Sequence, residues 1–432
     1  MTALRIDTEI DLLDLDRWAR DGVPFDWFAR LRAEAPVWRH PSPNGGPGFW
    51  VVSSHEHVTA LGRCPHALSS DGANGGVSGL GPGDELQDAQ DRVASGLPVG
   101  MDVFGGDTAM LLTLDPPEHT TYRKIVNKGF TPRRVALLEE RIRSLTASLL
   151  DAASAGGGAA VCDFTTEVAM PLPMRVIGEM IGAPVEIHDD LQRWSNQAVA
   201  GTDPEYAPDA SDMPQLFAAM SLFQSFQGIR DAHEAEPQDD LTTVLLEAEV
   251  DGESLSPTRF KMFLFLLALA GNETTRNAIS HGVLALAENP DEWRRLRDDP
   301  SLIPAAVEEV VRWASPVLYF RRNALSAMDV AGVTVEPGDI VSLWYVSANR
   351  DEAVFDDPMR FDVRRTPNEH VAFGGGGPHY CLGASLARLE VRVMLEELVA
   401  RYASIEPAGE PALLRSNFIR GIKHLPIRLV PG

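Results

Sequence analysis

The stretch Phe373-Gly374-Gly375-Gly376-Gly377-Pro378-His379-Tyr380-Cys381-Leu382-Gly383 is the most informative part of this 432-residue chain. Four consecutive glycines let backbone amides approach a bound group closely, because no Cβ atom stands in the way. Apolar residues at helical spacing follow from Leu386 to Leu395, so the cysteine is predicted to stand at the start of a helix. The free amides and the dipole of a helix N-terminus stabilise a thiolate.

Two other interpretations of this loop remain open on the residues alone. A glycine-rich loop before a helix can bind phosphate, although no Gly-Lys-Ser/Thr follows here and a cysteine does not replace it. The loop could also be a surface loop with an incidental cysteine. The loop by itself supports metal or nucleophile chemistry at Cys381 about as well as it supports these two alternatives.

A long helix is predicted upstream of the loop. Ser256-Pro257 is a typical helix start, since serine caps the first turn and proline suits it. The pattern continues to about Glu288, before Pro290, which makes roughly 32 residues and a length of about 48 Å. The stretch from Phe263 to Ala270 is apolar on nearly every face, so we expect this helix to be buried.

The predicted helix contains Ala270-Gly271-Asn272-Glu273-Thr274-Thr275, which interrupts the apolar pattern. Polar groups at such depth are unfavourable unless they find partners. A threonine can donate a hydrogen bond to the carbonyl one turn earlier and make room for a ligand or water. A carboxyl group followed by a hydroxyl is therefore either a satisfied core defect or a proton-delivery site, and both interpretations stay open here.

Two pairs of polar residues give weaker signals. Glu309 and Arg312, and likewise His119 and Arg123, lie three or four residues apart and share one face of a predicted helix. Such pairs are also common on ordinary protein surfaces, so neither pair alone indicates a function.

Composition and charge exclude several classes of protein. Lys and Arg number 38 and Asp and Glu 62, which gives a net charge of −24, so we expect neither nucleic acid nor an anionic membrane surface as a partner. The three cysteines, Cys64, Cys162 and Cys381, argue against a disulfide framework and a zinc site. The N-terminus lacks the pattern of a signal peptide, and the most apolar stretch is too short for a membrane span. We therefore predict a cytoplasmic protein.

Taken together and in this order, the motifs resemble those of the cytochrome P-450 family of haem-thiolate monooxygenases. Further matches are Asp115-Pro116-Pro117-Glu118-His119, Arg322-Asn323-Ala324 and Pro358-Met359-Arg360-Phe361. The resemblance extends from about residue 24 to 430.

The resemblance implies a mainly α fold with small β-sheets, a helix-rich triangular prism crossed by one long central helix. The chain would form a single domain, 1–432. Its β-rich part would lie mainly at 24–65 and 325–350, and its helical part mainly at 115–315 and 380–402.

The resemblance also implies roles for individual residues. Cys381 would be the axial ligand of the iron of haem b, and His119, Arg123, Arg322 and His379 would bind the haem propionates. Glu273 and Thr274 would relay protons to the reaction. Glu309 and Arg312 would form a buried structural pair joined by Arg360. The remaining haem-binding positions would be Leu112, Ala270, Gly271, Thr274, Ala372, Phe373, Gly374, Pro378, Gly383 and Ala387.

One departure from the family pattern concerns the cysteine loop. Phe373 stands eight positions before Cys381, where the family usually has seven, while His379 keeps its usual place. This longer loop resembles the loops of a bacterial branch of the family whose members hydroxylate steroids, terpenoids or branched lipids. The resemblance to that branch implies a hydrophobic substrate. The walls of the substrate pocket would be Leu266, Leu269, Ala270, Val317, Leu318, Asn417, Phe418 and Ile419.

The implied reaction inserts one oxygen atom of O₂ into a C–H bond. Since no flavin-binding segment follows the last predicted strand, electrons from NAD(P)H would come through a separate ferredoxin and ferredoxin reductase, and the enzyme would be a monomer. Alternatives on the same fold are a peroxygenase, an isomerase or coupling enzyme, and a non-catalytic haem sensor. A haem-free phosphate-binding enzyme is a further alternative.

Overall fold

The computed structural model describes residues 11–42, 46–81, 84, 109–154, 159–199, 203–206, 213–250 and 252–432. Helices dominate this part of the chain. They are α1 (Leu15–Asp21), α2 (Phe25–Glu34), α3 (His55–Gly62), α4 (Glu118–Val126), α5 (Pro132–Leu137), α6 (Glu139–Ala153), α7 (Pro171–Met180), α8 (His188–Val199), α9 (Met213–Ala235), α10 (Leu241–Leu246), α11 (Pro257–Glu288), α12 (Pro290–Asp298), α13 (Ile303–Ala314), α14 (Tyr345–Ala348) and α15 (Ala384–Arg401).

The strands of the described residues form small, separate sheets. The largest has five strands in the order β1-β2-β10-β7-β3, and a second has three in the order β11-β14-β4. The pairs β5-β6, β8-β9 and β12-β13 form two-stranded sheets. The strands are β1 (Val37–His40), β2 (Phe49–Val52), β3 (Leu68–Ser69), β4 (Ala160–Asp163), β5 (Glu249–Val250), β6 (Glu253–Ser254), β7 (Tyr319–Ala324), β8 (Met328–Val330), β9 (Val333–Val335), β10 (Ile340–Trp344), β11 (Tyr402–Pro407), β12 (Ala412–Leu413), β13 (Ile422–His424) and β14 (Pro426–Pro431).

Helix α11 organises the helical part of the molecule. It has 32 residues, and the Ser256 side chain accepts a hydrogen bond from the backbone N–H of Arg259 at its start. Helices α7, α8, α9, α13 and α15 all pack against it. The prediction of a long, mostly buried helix beginning after Ser256 and ending at Glu288 is confirmed. The predicted mainly α fold with small sheets is also confirmed.

Two predicted elements differ from the observed ones. The helical spacing of apolar residues from Pro132 to Leu150 predicts one helix, but this stretch forms two helices, α5 and α6, which meet at Leu138. The apolar stretch from Ile340 to Val346, which follows the turn residues Pro337-Gly338, predicts a strand, but β10 ends at Trp344 because the next four residues form the short helix α14. Within the part of the chain that the structure describes, no helix is long and apolar enough to cross a lipid bilayer.

The glycine run lets the cysteine loop pack against helix α3. Gly374, Gly376 and Gly377 have φ values of 88°, 103° and 81°, which side-chain-bearing residues rarely adopt. A Cβ atom on Gly375 would lie 2.9 Å from the Cα atom of Thr59, and one on Gly377 would clash with the Gly62 carbonyl oxygen. Gly375 and Gly377 therefore allow the loop to lie close to the backbone of helix α3. The glycine run predicts an approach to a bound group instead.

Candidate active site

A large cavity separates helix α11 from the cysteine loop. Leu266, Ala270 and Thr274 line it from α11, and Phe373 and Cys381 line it from the loop. The lining is mainly apolar. Its other members are Leu111, Leu112, His119, Arg123, Phe130, Ile177, Met180, Ile181, Leu241, Leu267, Gly271, Thr275, Ala278, Val311, Pro316, Val317, Phe320, Tyr345, Ala372, Gly374, His379, Leu382, Gly383, Leu386, Ala387 and Glu390.

Cys381 turns its accessible surface towards this cavity. The backbone N–H of Cys381 donates to the carbonyl of Phe373 at 2.9 Å, and Gly383 is the N-cap residue of α15. Burial within the protein raises the pKa of the thiol, while the Gly383 N–H and the charges of Arg123 and Arg388 lower it. The structure thus places the cysteine just before a helix, as the sequence predicts, with local groups that favour its thiolate form.

Basic groups converge at one side of the cavity. The imidazole rings of His119 and His379 lie with their centroids 4.2 Å apart. Burial, with a smaller contribution from the charge of Arg123, lowers the pKa of His119 to about 4. Burial also lowers the pKa of His379 to about 3, and the charges of Arg322, His119 and Arg123 act in the same direction. Such mutually unfavourable positive groups indicate a site that is built for an anion.

The missing hydrogen-bond partners of these histidines also indicate a site for an anion. Both ring nitrogens of His119 and the Nε2 atom of His379 are buried and have no hydrogen-bond partner among the described residues. A buried polar group without a partner is unfavourable by about 1–3 kcal/mol. Two carboxylate groups at this end of the cavity would supply the missing acceptors. The donor set therefore fits a ligand with an apolar body and paired carboxylates, as a haem has.

Thr274 and Glu273 face different surroundings, although they are neighbours in α11. The Thr274 hydroxyl lines the cavity and donates to the carbonyl of Ala270 at 2.7 Å, the bond one turn back that the sequence suggests. The Glu273 side chain is buried and is not in the cavity lining that the described residues form. Its Oε2 atom accepts hydrogen bonds from Arg276 and, at 3.4 Å, from Asn277.

Comparison with known proteins decides the family. The family model for cytochrome P450 matches residues 217–422. The steroid C26-monooxygenase of Mycolicibacterium smegmatis is 36% identical to this chain, over 98% of the chain and 94% of that protein. The chain belongs to the cytochrome P450 family. It is a P450 monooxygenase, an oxidoreductase, and the family implies a haem iron cofactor.

Two further relatives agree with this assignment. The methyl-branched lipid omega-hydroxylase of Mycobacterium tuberculosis is 40% identical, over 97% of this P450 and 94% of that protein. A cytochrome P450 of Mycobacterium marinum, solved in complex with pseudoionone, matches with a TM-score of 0.85 and 34% identity, over 98% of this chain and 99% of that chain.

Most of the expected haem-binding positions of this P450 lie along the cavity. Among the described residues, only Arg322 and Pro378 of that set are missing from the lining. Arg322 lies nearby on β7 and its charge acts on His379. Those in the lining are Leu112, His119, Arg123, Ala270, Gly271, Thr274, Ala372, Phe373, Gly374, His379, Cys381, Gly383 and Ala387.

The predicted substrate walls are only partly on the cavity of the P450. Leu266, Ala270 and Val317 line it. The other five predicted positions are absent from the lining that the described residues form: Leu269, Leu318, Asn417, Phe418 and Ile419.

Packing explains why, in the part of the chain that the structure describes, residues 417–419 do not line the cavity and lie behind residues that do. Phe418 packs against Phe320, with ring centroids 5.7 Å apart, and Phe320 itself lines the cavity. The Asn417 amide donates to the Leu12 carbonyl at 3.2 Å instead of facing a ligand. Ile419 forms a β-bridge with Val317. Sequence reasoning therefore missed Phe320, and no alternation of apolar and polar residues along β7 marks it.

The buried ion pair of the P450 also needs one correction. Arg312 binds both carboxylate oxygens of Glu309, at 2.7 and 2.8 Å, and neither side chain is exposed. The third member is Arg365 and not Arg360, because the Arg365 Nε atom lies 3.1 Å from Glu309 Oε2. Arg360 contributes only its backbone carbonyl, which accepts from Arg312 and Arg365, and its side chain is directed towards Asp362.

Glu390 is a cavity residue that sequence reasoning missed. It lies on α15, is buried, and its Oε2 atom has no hydrogen-bond partner among the described residues. Burial raises the pKa of this carboxyl to about 8. Its position four residues after Leu386, on the apolar face of the helix, was the available signal, since an acid on such a face is unusual.

Proposed function

We propose that this P450 binds haem b through Cys381 and inserts one atom of O₂ into a C–H bond of a hydrophobic small molecule. The observation that carries the proposal is the enclosed Cys381 thiol, which shares one apolar cavity with the Thr274 hydroxyl. When bound, the haem supplies the redox chemistry that activates O₂, and a thiolate ligand favours cleavage of the O–O bond.

The protein's own part begins with holding the cofactor. Cys381 Sγ would ligate the iron, and the Gly383 N–H and the charges of Arg123 and Arg388 favour the deprotonated sulfur that this requires. His119, Arg123, Arg322 and His379 would bind the propionates. Among the described residues, both ring nitrogens of His119 and the Nε2 atom of His379 lack a hydrogen-bond partner, which supports this role.

The reaction consumes two protons and two electrons for each O₂, because one oxygen atom enters the substrate and the other leaves as water. A proton donor is therefore needed inside a mainly apolar cavity. The Thr274 hydroxyl lines this cavity, and the Glu273 carboxylate stands next to it in the chain, held by Arg276. We assign the last proton-donating position to Thr274 Oγ1 and the supply of protons to Glu273.

The substrate is proposed to be a steroid, a terpenoid or a methyl-branched lipid. The apolar lining, including Leu266, Phe320 and Ile177, suits such compounds. Relatives support these classes, since they include the steroid and lipid enzymes and a linalool 8-monooxygenase of Pseudomonas putida that is 36% identical over 98% of this chain and 99% of that protein.

An optical titration tests the substrate class. Testosterone, pseudoionone, linalool and a methyl-branched fatty acid are added in turn to the haem-loaded protein, and the haem spectrum is recorded. A compound of the right class is expected to displace water from the iron and shift the spectrum from low to high spin. If none of the four compounds shifts the spectrum, the proposed substrate classes are wrong.

Electrons are proposed to come from NAD(P)H through a ferredoxin and its reductase, which dock on the cysteine side of a monomeric enzyme. Lys124, Lys128 and Arg133 are exposed there, in a chain whose net charge is −24. The group is close to the cysteine loop, because the Arg123 guanidinium donates to the Tyr380 carbonyl at 2.7 Å. Complementary charge mainly speeds the encounter of two proteins.

Charge reversal tests this docking surface. Lys128→Glu combined with Arg133→Glu is expected to slow reduction by an acidic ferredoxin about tenfold at low salt, and less at high salt. The control is Arg428→Glu, at a residue of β14. This strand pairs with β11, which follows the C-terminal end of α15, whereas Cys381 precedes the N-terminal end of that helix. An unchanged reduction rate in the double variant would contradict this docking surface.

A further inference from the structure

A second cleft, of about 400 Å³, opens on the surface beside helix α8. Arg175, Gln192 and Asn196 line it, together with Tyr206 from the turn 203–206. None of these four residues belongs to the lining of the large cavity. A hydrogen bond from Asn272 to Asn196 connects this cleft with α11.

Asn196 lines the cleft and contacts a buried residue of α11. Its Oδ1 atom accepts a hydrogen bond from the Asn272 amide at 3.1 Å. Asn272 is completely buried, and its own Oδ1 atom has no hydrogen-bond partner among the described residues. Arg276, one helical turn further on, is also completely buried and binds Glu273 through Nη2. Its Nε and Nη1 atoms have no partner in the described part of the chain.

Tyr206 is held at the cleft by the turn that carries it. Asp203 accepts hydrogen bonds from the Arg415 backbone N–H at 2.9 Å and from Lys423 at 3.1 Å. Glu205 lies 2.9 Å from the Lys423 ammonium. Burial raises the pKa of Tyr206 to about 12, and the charges of Arg276 and Glu273 also act on it. The tyrosine is therefore a neutral hydroxyl at the cleft, within electrostatic range of the buried Glu273–Arg276 pair.

Three polar atoms of Asn272 and Arg276 thus lie buried between an open cleft and Glu273. Each would be unfavourable by about 1–3 kcal/mol if it stayed without a partner, and buried water is the usual partner of such atoms in proteins. Water molecules that satisfy them would be hydrogen-bonded to one another and to the Tyr206 hydroxyl. A chain of this kind conducts protons from solvent to a carboxylate.

We propose that this cleft is the solvent entrance through which protons reach Glu273, and that Asn196 and Tyr206 position the water that carries them. Tyr206 is then a positioning residue, since it acts through water on Glu273 and does not touch the reacting atoms. The inference rests on the proposed function, in which Glu273 supplies protons to Thr274.

A crystal structure of the haem-loaded enzyme tests the path without measuring activity. We expect ordered water on Arg276 Nε and Nη1 and on Asn272 Oδ1, connected by hydrogen bonds to the cleft. If these atoms bind protein groups instead, or if side chains seal the cleft from them, the inference is wrong.

Turnover measurements test the role of Tyr206. Tyr206→Phe removes the hydroxyl and keeps the ring, and Asn196→Leu removes the polar link to Asn272. With the compound that gives the largest spin shift in the titration above, we expect NADPH-driven product formation to fall by roughly threefold to tenfold in each variant, and its solvent deuterium isotope effect to rise. Product formation driven by hydrogen peroxide should stay unchanged, because peroxide brings its own protons.

The control and the contrary outcomes separate the two proposals. Tyr402→Phe removes another part-buried hydroxyl, one that bonds to Ser154, and should leave both routes at the wild-type rate. The inference is overturned if Tyr206→Phe and the wild type have equal NADPH-driven rates and isotope effects. It is also overturned if Tyr206→Phe loses NADPH-driven and peroxide-driven product formation to the same extent. A wild-type enzyme without a thiolate haem spectrum would instead overturn the proposed function, and this inference with it.

Discussion

The Nε atom of Arg365 lies 3.1 Å from Oε2 of Glu309, so that Arg365 and Arg312 share one fully buried carboxylate. Arg312 also donates to the carbonyls of Asn349 and Pro358. The cluster therefore fixes helix α13 to the coil that leads into the cysteine loop. Each charge in it is paired, which is the condition under which buried charges are tolerated.

The two arginines of this coil should differ in their effect on stability. Arg365→Ala leaves the Glu309 carboxylate with one partner fewer, and we expect a loss of about 1–3 kcal/mol in the free energy of unfolding. Arg360→Ala is the matched control, since its side chain is 53% exposed while that of Arg365 is 10% exposed. Its effect should stay within about 0.5 kcal/mol. Urea unfolding measures both, and a larger loss in Arg360→Ala would contradict the assignment.

Removal of the Thr274 hydroxyl should divert electrons from product to peroxide. Thr274→Ala is expected to bind haem normally and to consume NADPH, but most of the reducing equivalents should appear as hydrogen peroxide, because the hydroxyl assigned to the last proton transfer is gone. Thr274→Ser keeps a hydroxyl and should restore most of the coupling. The measurement is the ratio of product to NADPH consumed. Full coupling in Thr274→Ala would exclude the hydroxyl from proton delivery.

Glu390 should make the protein less stable as the pH rises. Its pKa is about 8 in the folded protein and lies near 4.5 when the chain is unfolded, so the native state holds the extra proton between these values. Stability from this group is therefore lost as the pH rises from about 4.5 to 8.

Glu390→Gln removes this titration. It should match the wild type near pH 4.5 and exceed it at pH 8, by an amount on the order of a few kcal/mol. Unfolding midpoints measured across this pH range compare the two proteins. If the difference between them does not change with pH, Glu390 is not the titrating group.

His119 should contribute to the retention of haem. His119→Ala removes a buried ring whose nitrogens have no hydrogen-bond partner in the described part of the chain, and a hydrogen bond to a charged group contributes about 1.5–3 kcal/mol. We therefore expect haem to be lost roughly tenfold to a hundredfold faster, measured as transfer to an excess of an apo haem-binding protein. His66→Ala, at an exposed histidine, is the control. Equal rates in both variants would remove His119 from the cofactor site.

Elements with strong local signals could be predicted from the sequence. The ends of helix α11 were predictable because Ser256-Pro257 and Pro290 mark them directly. The hydrogen bond from Thr274 to the Ala270 carbonyl was also predictable, since it lies within one helical turn. Cys381 stood out because the glycine run and the following helix flank it in the chain.

Contacts between distant segments could not be predicted in the same way. Arg360 and Arg365 lie in one irregular coil, and only the packing of that coil against α13 decides which of them reaches Glu309. Phe320, and none of residues 417–419, lines the cavity among the described residues. No local sequence pattern reveals this arrangement. The hydrogen bond between Asn272 and Asn196 likewise joins parts of the chain that are far apart in sequence.

The most direct test of the account is the carbon-monoxide difference spectrum of the reduced protein, recorded for the wild type and for Cys381→Ser. We predict the band of a thiolate-ligated haem in the wild type and its loss in the variant, because Cys381 is the cysteine that faces the cavity. A thiolate band that survives in Cys381→Ser would place the ligand elsewhere. A haem-loaded wild-type protein without this band would contradict the central claim.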